Sequence, residues 1–216
     1  MTPEIPVWLA QLSLALGVGT ALVILADVAR RPQHMAVMNV TWPITGLYLP
    51  VVGAWMYYVM GRRSHGGEKP FWQSVAVSST HCGGGCALGD SVAAPLVSVV
   101  GFAVAGSVLL GHFVAEFAAA YMFGILFQYL PIRAMGQRSR AQALTDAVKA
   151  DTLSLVAYEV GMFGWMAVAS WFLLGGEPDT GSYMFWFMMQ IAMAIGFLTT
   201  YPANWALVKT GIKHAM

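Results

Sequence analysis

Trp72-Gln73-Ser74-Val75-Ala76-Val77-Ser78-Ser79-Thr80-His81-Cys82-Gly83-Gly84-Gly85-Cys86-Ala87-Leu88-Gly89-Asp90 lies in a stretch, Phe71 to Leu130, that contains no lysine or arginine. Crossing a bilayer core takes about 20 apolar residues, so this stretch is too long for one span and suits two. The spans are predicted at about 72–97 and 108–130, with the turn at Gly101 and Gly106-Ser107. A chain with two such spans side by side is an integral membrane protein, and the remaining sequence divides to match.

The 216 residues are 58% hydrophobic and only 10% charged, where a soluble domain is about 25% charged. Outward from the central pair, apolar runs at 7–26, 35–60, 150–174 and 183–208 complete six predicted spans. Pro43 and Pro50 interrupt the second run and predict kinks, tolerated where neighbouring groups satisfy the freed carbonyls. Arg62 to Pro70 reads as a polar loop, and Gly175 to Asp179 as a turn. The alanine-rich part of 131–150 predicts a surface helix. The connecting segments are too short for a soluble domain, so 1–216 is read as one all-α membrane bundle. The opening Met1-Thr2-Pro3-Glu4-Ile5-Pro6 has no basic region, and a cleavable signal peptide is not expected. A net charge of +1 without a basic stripe argues against a nucleic-acid partner.

Charge orients the six-span reading. One side would hold Arg62, Arg63, Lys69, Arg133, Arg138, Arg140, Lys149, Lys209 and Lys213, and the other only Arg30 and Arg31. Basic residues stay cytoplasmic. The expectation is therefore a bacterial inner-membrane protein with both termini in the cytoplasm.

The chemistry concentrates at His81-Cys82-Gly83-Gly84-Gly85-Cys86, which holds both cysteines of the chain. Entering at Trp72, Cys82 lies roughly 15 Å deep, near the middle of a core about 30 Å thick. Cys82 and Cys86 share a helix face, while three glycines weaken the helix and predict a possible local break. Thiolate and imidazole suit copper(I) or zinc. Met162 and Met166 share a face of the fifth span, and Met188, Met189 and Met193 crowd the sixth; thioether is a soft ligand, though methionine also fills apolar cores. Buried ionisable residues cost several kcal/mol and usually face the bundle interior. Asp90, His112 and Glu116 are read as an outer polar track leading to a central group of His81, Cys82, Cys86 and Glu159, with Met162 as a further metal ligand. The plainer reading of the same residues is interhelical hydrogen bonding. Asp151 falls at a predicted helix start, as a cap. His34, His65 and His214 fall in loops or the tail.

The stretch Ser79-Thr80-His81-Cys82-Gly83-Gly84-Gly85-Cys86-Ala87-Leu88-Gly89-Asp90 resembles the signature of the DUF4396 family of bacterial membrane proteins. Asp151 to Ser154, Glu159 to Met162 and Gly211-Ile212-Lys213 are similar to it as well, and the resemblance covers most of the chain after about Met35. It implies a polytopic membrane protein with a part in copper handling; it supplies no reaction and no ligand set.

Three functions are compatible with these residues. The first is a protein that transports, stores or delivers a soft metal, copper(I) above zinc. The second is a membrane redox protein using haem or the Cys82/Cys86 pair; the different depths of His81 and His112 argue against haem. The third is a non-catalytic subunit of a membrane complex or homo-oligomer, its buried polar groups serving as glue. No nucleophilic triad, phosphate loop or hydrolytic carboxylate pair is legible, so an enzyme is not the favoured reading. The bilayer and a metal ion are the expected partners.

Overall fold

The computed structural model describes residues 5–62, 69–136, 138–176 and 179–213. Within them the regular structure is helical, and the chain is an all-α bundle. Most of the predicted polar loop, including His65, lies outside the described residues, as do Glu177, Pro178 and His214.

Five helices are long and apolar enough to cross a membrane. They are α1 (Val7–Arg30), α4 (Phe71–Val100), α5 (Val108–Ala134), α6 (Arg140–Val168, continued by a π-helical turn Ala169–Leu173) and α7 (Tyr183–Lys209). Their ends carry the expected local chemistry. Gly101 closes α4 in the left-handed conformation (φ 68°), where glycine carries no Cβ penalty. Ser107 caps α5 by accepting from the Leu110 amide, and Ser182 caps α7 by accepting from Phe185. Ser139 and Gln142 form a reciprocal capping box at the start of α6. The predicted surface helix and the fifth span are thus one continuous helix, and Asp151 sits in its fourth turn instead of capping it.

The second predicted span is different. It folds as two short helices, α2 (Met38–Tyr48) and α3 (Val52–Met56, widening into a π-helical turn Tyr57–Gly61). They run antiparallel. Gly53 faces the backbone of Thr45 and Gly46, and Gly61 lies against the Trp42 indole. The end of the second arm meets the end of α1: Tyr57 donates to Asp27 at 2.8 Å, and Arg62 pairs with the same carboxylate at 3.5 Å. The tip, Leu49-Pro50-Val51, reaches only the level of Gly17 and Thr20, the middle of α1. An 11-residue helix is about 16 Å long, half a hydrocarbon core. The segment is therefore a re-entrant hairpin and not a sixth crossing.

Reversal at that depth exposes backbone groups that lipid cannot satisfy, so protein must cover them. The Val51 amide donates to Thr20 Oγ1 at 3.2 Å, and Gln190 Nε2 of α7 donates to the Leu47 carbonyl at 2.6 Å. Val51 adopts φ 65°, an unusual conformation for a β-branched residue. Pro50 supplies the stop, and these tertiary partners turn it from a kink into a reversal.

Ile5 and Lys213, the first and last described residues, lie toward opposite ends of the bundle. The described lysines and arginines gather at one end. There α1, α5 and α7 finish, α4 and α6 begin, and the hairpin enters; Tyr201 of α7 donates to the Trp72 carbonyl, and Phe71 stacks edge-on with Trp205. The other end carries the N-terminus of α1 and the turns at 101–107 and 174–182.

The predicted break in α4 does not occur: the helix is continuous from Phe71 to Val100. Its glycines serve close packing. A Cβ on Gly84 would sit 2.6 Å from Thr41 of the hairpin, one on Gly83 would sit 2.9 Å from the Tyr48 hydroxyl, and one on Gly85 would sit 2.9 Å from Gly124 Cα of α5. Small residues let helix backbones approach in lipid, where packing replaces the hydrophobic drive.

Candidate functional site

Cys82, Cys86 and Asp90 follow one another at single-turn spacing and form a stripe along one face of α4. All three are fully buried, and both cysteines are free thiols. Close packing at Gly83 brings Tyr48 of the hairpin and Tyr158 of α6 onto this stripe. The thiols lie beside each other, and the Glu159 carboxyl of α6 lies beside Cys86. Met162, also fully buried, follows Glu159 by three residues on α6 and belongs to the same core.

From the thiols a line of carboxyls runs toward the end that carries few charges. Asp90 lies within electrostatic reach of both Glu159 and Glu116. Glu116 Oε1 is 3.0 Å from His112 Nδ1, and His112 Nε2 is 3.4 Å from Ser98 Oγ. His112 and Glu116 line a cavity of about 300 Å³ with Ser98, Met166, Asp179 and Phe185. Neither oxygen of Asp90, and neither of Glu159, has a hydrogen-bond partner among the described residues. Buried carboxyls without partners are costly and mark sites where another species completes the arrangement. Asp90, Glu116 and His112, the residues expected to form a polar track, thus follow one another from the thiols toward the cavity.

His81 is the exception to the foreseen central group. It turns away from the thiol stripe toward Gln128 of α5 and toward Asp151 and Lys213, because consecutive helical residues point about 100° apart. No three His, Cys, Asp or Glu side chains converge as a metal site among the described residues. Two thiols with one flanking carboxyl are what the fold assembles. Met188, Met189 and Met193 are buried in α7; Met166 reaches the outer cavity.

A second polar centre was not anticipated. Lys213, from the tail after α7, turns back so that Nζ lies 2.9 Å from Asp151 Oδ1 and 3.5 Å from Ser154 Oγ. Both charged side chains are completely inaccessible to solvent. Burial works against the Lys213 charge; the Asp151 carboxylate more than offsets it and holds the ammonium above its usual range. The sequence signal was the Asp151 and Lys213 stretches themselves, but 62 residues separate them. Nearby, Asn204 donates to Ser79 and Thr200 to the Ser154 carbonyl, contacts that tie α4, α6 and α7 together.

Fold and site together define a polytopic helical membrane protein with an interior column of thiols and carboxyls. The chain belongs to the DUF4396 family: the family model, described as a domain of unknown function, matches residues 71–213. The match begins at Phe71, later than the Met35 expected, and so takes in α4 to α7 and leaves α1 and the hairpin outside. Neither a curated protein nor a solved structure matches the chain.

Proposed function

We propose that this protein handles a soft transition-metal cation, copper(I) before zinc, by transport, storage or delivery, with the Cys82/Cys86 pair as the binding point. The observation that supports this is the placement of the thiols: two free cysteines, one helical turn apart and fully buried, at the inner end of a line of carboxyls that leads from a cavity. Soft thiolate and thioether ligands select copper(I), and two sulfurs suffice where a zinc site wants four ligands. Asp90, Glu116 and Glu159 supply carboxyl oxygens along the way in, each able to lose its proton as a cation passes. Met166 at the mouth and Met162 near the centre offer thioether sulfur. Ligand thiols must lose protons as the cation binds, so uptake is accompanied by proton release.

Protein purified from copper-supplemented cells under reducing conditions is expected to hold about one copper per chain, bound through sulfur, and the double variant Cys82→Ala/Cys86→Ala to hold none. Equal metal in both forms overturns the proposal. Metal-free protein whose two thiols cycle to a disulfide with an electron acceptor would favour the redox reading.

The proposal includes an orientation in a bacterial inner membrane. With the hairpin re-entrant, the described lysines and arginines fall to one side, a cleaner asymmetry than six spans give, and the proposal makes that side cytoplasmic. The cavity at His112 and Glu116 then opens outward and the N-terminus lies outside. Compartment-sensitive reporters are expected to place the C-terminus in the cytoplasm and the N-terminus in the periplasm. Both termini in one compartment would mean that the hairpin crosses.

A further inference from the structure

The second polar centre, at the basic end, takes no part in the proposed metal path. Its parts are unevenly satisfied. The Lys213 ammonium has two partners, Asp151 Oδ1 and Ser154 Oγ. Asp151 Oδ2, Gln128 Oε1 and both ring nitrogens of His81 are buried with no hydrogen-bond partner among the described residues. Asp151 Oδ2, Gln128 Oε1 and one nitrogen of a neutral His81 ring are acceptors, so the centre is a cup with more acceptors than the one ammonium inside it uses. Lys213 is also not part of a crossing helix. It arrives on the turn Thr210-Gly211-Ile212, where Gly211 takes φ 74° and the amides of Ile212 and Lys213 both donate to the Leu207 carbonyl. Gly211 and Ile212 line a cavity of about 620 Å³ that opens at the basic end and is bounded by Gln128, Lys149 and Ala150. Gln128 leads from this cavity to His81, and the Lys213 ammonium itself lies within electrostatic reach of Cys82 and Cys86. The turn that carries Lys213 forms one wall of the cavity, through Gly211 and Ile212, and sets the Lys213 ammonium on its inner side.

We propose that the Asp151 cup is a binding site for a small monovalent cation of the ammonium class, filled in the resting protein by the chain's own Lys213, and that this tethered ammonium plugs the path between the thiols and the basic end. A tethered cation acts at high effective concentration, so it holds the site closed without being irreversible. A species that competes for Asp151, or one that draws the tail away, opens it. The proposal concerns access and does not depend on which ligand the thiols hold.

The test uses the full chain in sealed proteoliposomes of known orientation and a charged, membrane-impermeant thiol reagent. The two cysteines are the only ones in the protein, so no engineered thiol is needed. Wild-type thiols are expected to stay unlabelled from either side. Lys213→Ala is expected to become labelled from the C-terminal side alone, within the exposure that labels a surface cysteine, and ethylammonium is expected to restore protection by refilling the cup. Because Lys213→Ala leaves Asp151 unpaired and could impair folding, a second variant removes residues after Thr210 and carries Asp151→Asn. It has no orphan charge; it too is expected to be labelled from that side, and ethylammonium is expected to give it no protection. Thiols that stay protected in both variants, in protein that elutes and melts as a folded monodisperse species, overturn the plug. Labelling that ethylammonium does not reverse in Lys213→Ala overturns the cation site.

Discussion

Gly89→Ala is expected to prevent accumulation of folded protein. Gly89 meets the backbone of α5, not a side chain: an added Cβ would lie 2.5 Å from Ala120 Cα and 2.6 Å from the Ala119 carbonyl carbon. Backbone cannot rotate away, so α4 and α5 must separate along their whole contact. Gly85 and Gly89 on α4 oppose Ala120 and Gly124 on α5, small residues four apart on both helices, which is how membrane helices bring backbones together. Overpacking costs about 1–3 kcal/mol and occasionally more; here the value is expected at about 3 kcal/mol or above. The thiols ride on the same helix, so the site would be lost with the packing. Gly19→Ala is the control. It lies inside α1 with nothing within 4 Å of its Cβ, and it is expected to be neutral or to stabilise by up to about 1 kcal/mol. Thermal melts in detergent check both. A Gly89→Ala protein melting within a few degrees of wild type would mean that α4 and α5 are not packed as described.

Glu159→Gln is expected to weaken copper(I) binding by about 10–100-fold, the range for losing a group that supports metal ligands, while both thiols remain free and titratable. Its carboxyl lies beside Cys86 at the centre of the bundle, with no hydrogen-bond partner among the described residues. A cation arriving there brings charge into a low dielectric, and a carboxylate alongside is worth far more than in water. Glutamine keeps the shape and removes the group that can give up its proton and become an anion as the cation arrives. Competition against a copper(I) chelator measures the change. Unaltered affinity would make Glu159 a packing residue. Binding lost as completely as in the double cysteine variant would make it an indispensable ligand.

Much of the bundle was legible because the signals were local. Apolar length gave α1, α4, α5 and α7; the glycines at 101 and 106 gave the turn between the central helices; and a spacing of four gave the His112–Glu116 contact. What stayed hidden depended on partners distant in sequence. Pro50 looks the same in a kinked span and in a reversal, and Thr20 and Gln190 decide between them. Three consecutive glycines read as helix weakness, yet Thr41, Tyr48 and Gly124 make them contact surface. The Gly85–Gly89 spacing could have revealed this before any coordinates. His81 was grouped with Cys82 by adjacency in the chain, whereas a helix sends neighbours in different directions. Asp151 was taken for a cap because α6 was started ten residues late, and the Lys213 partnership had no local trace.

The hairpin also gives the molecule unequal girth. In the leaflet at the basic end, seven helical segments stand side by side; in the other leaflet only the five crossing helices remain. A helix is about 10 Å across, so the two extra segments add on the order of 160 Å² of cross-section to one leaflet alone. Beyond Leu49-Pro50-Val51 the α1 side chains Leu9, Leu12 and Leu16 are exposed, an apolar surface suited to acyl chains of the opposite leaflet. The protein is therefore a wedge in its membrane, and lateral pressure in the two leaflets acts on it unequally. Lipids that crowd the leaflet at the basic end press on the same hairpin that carries Tyr48 to the thiols.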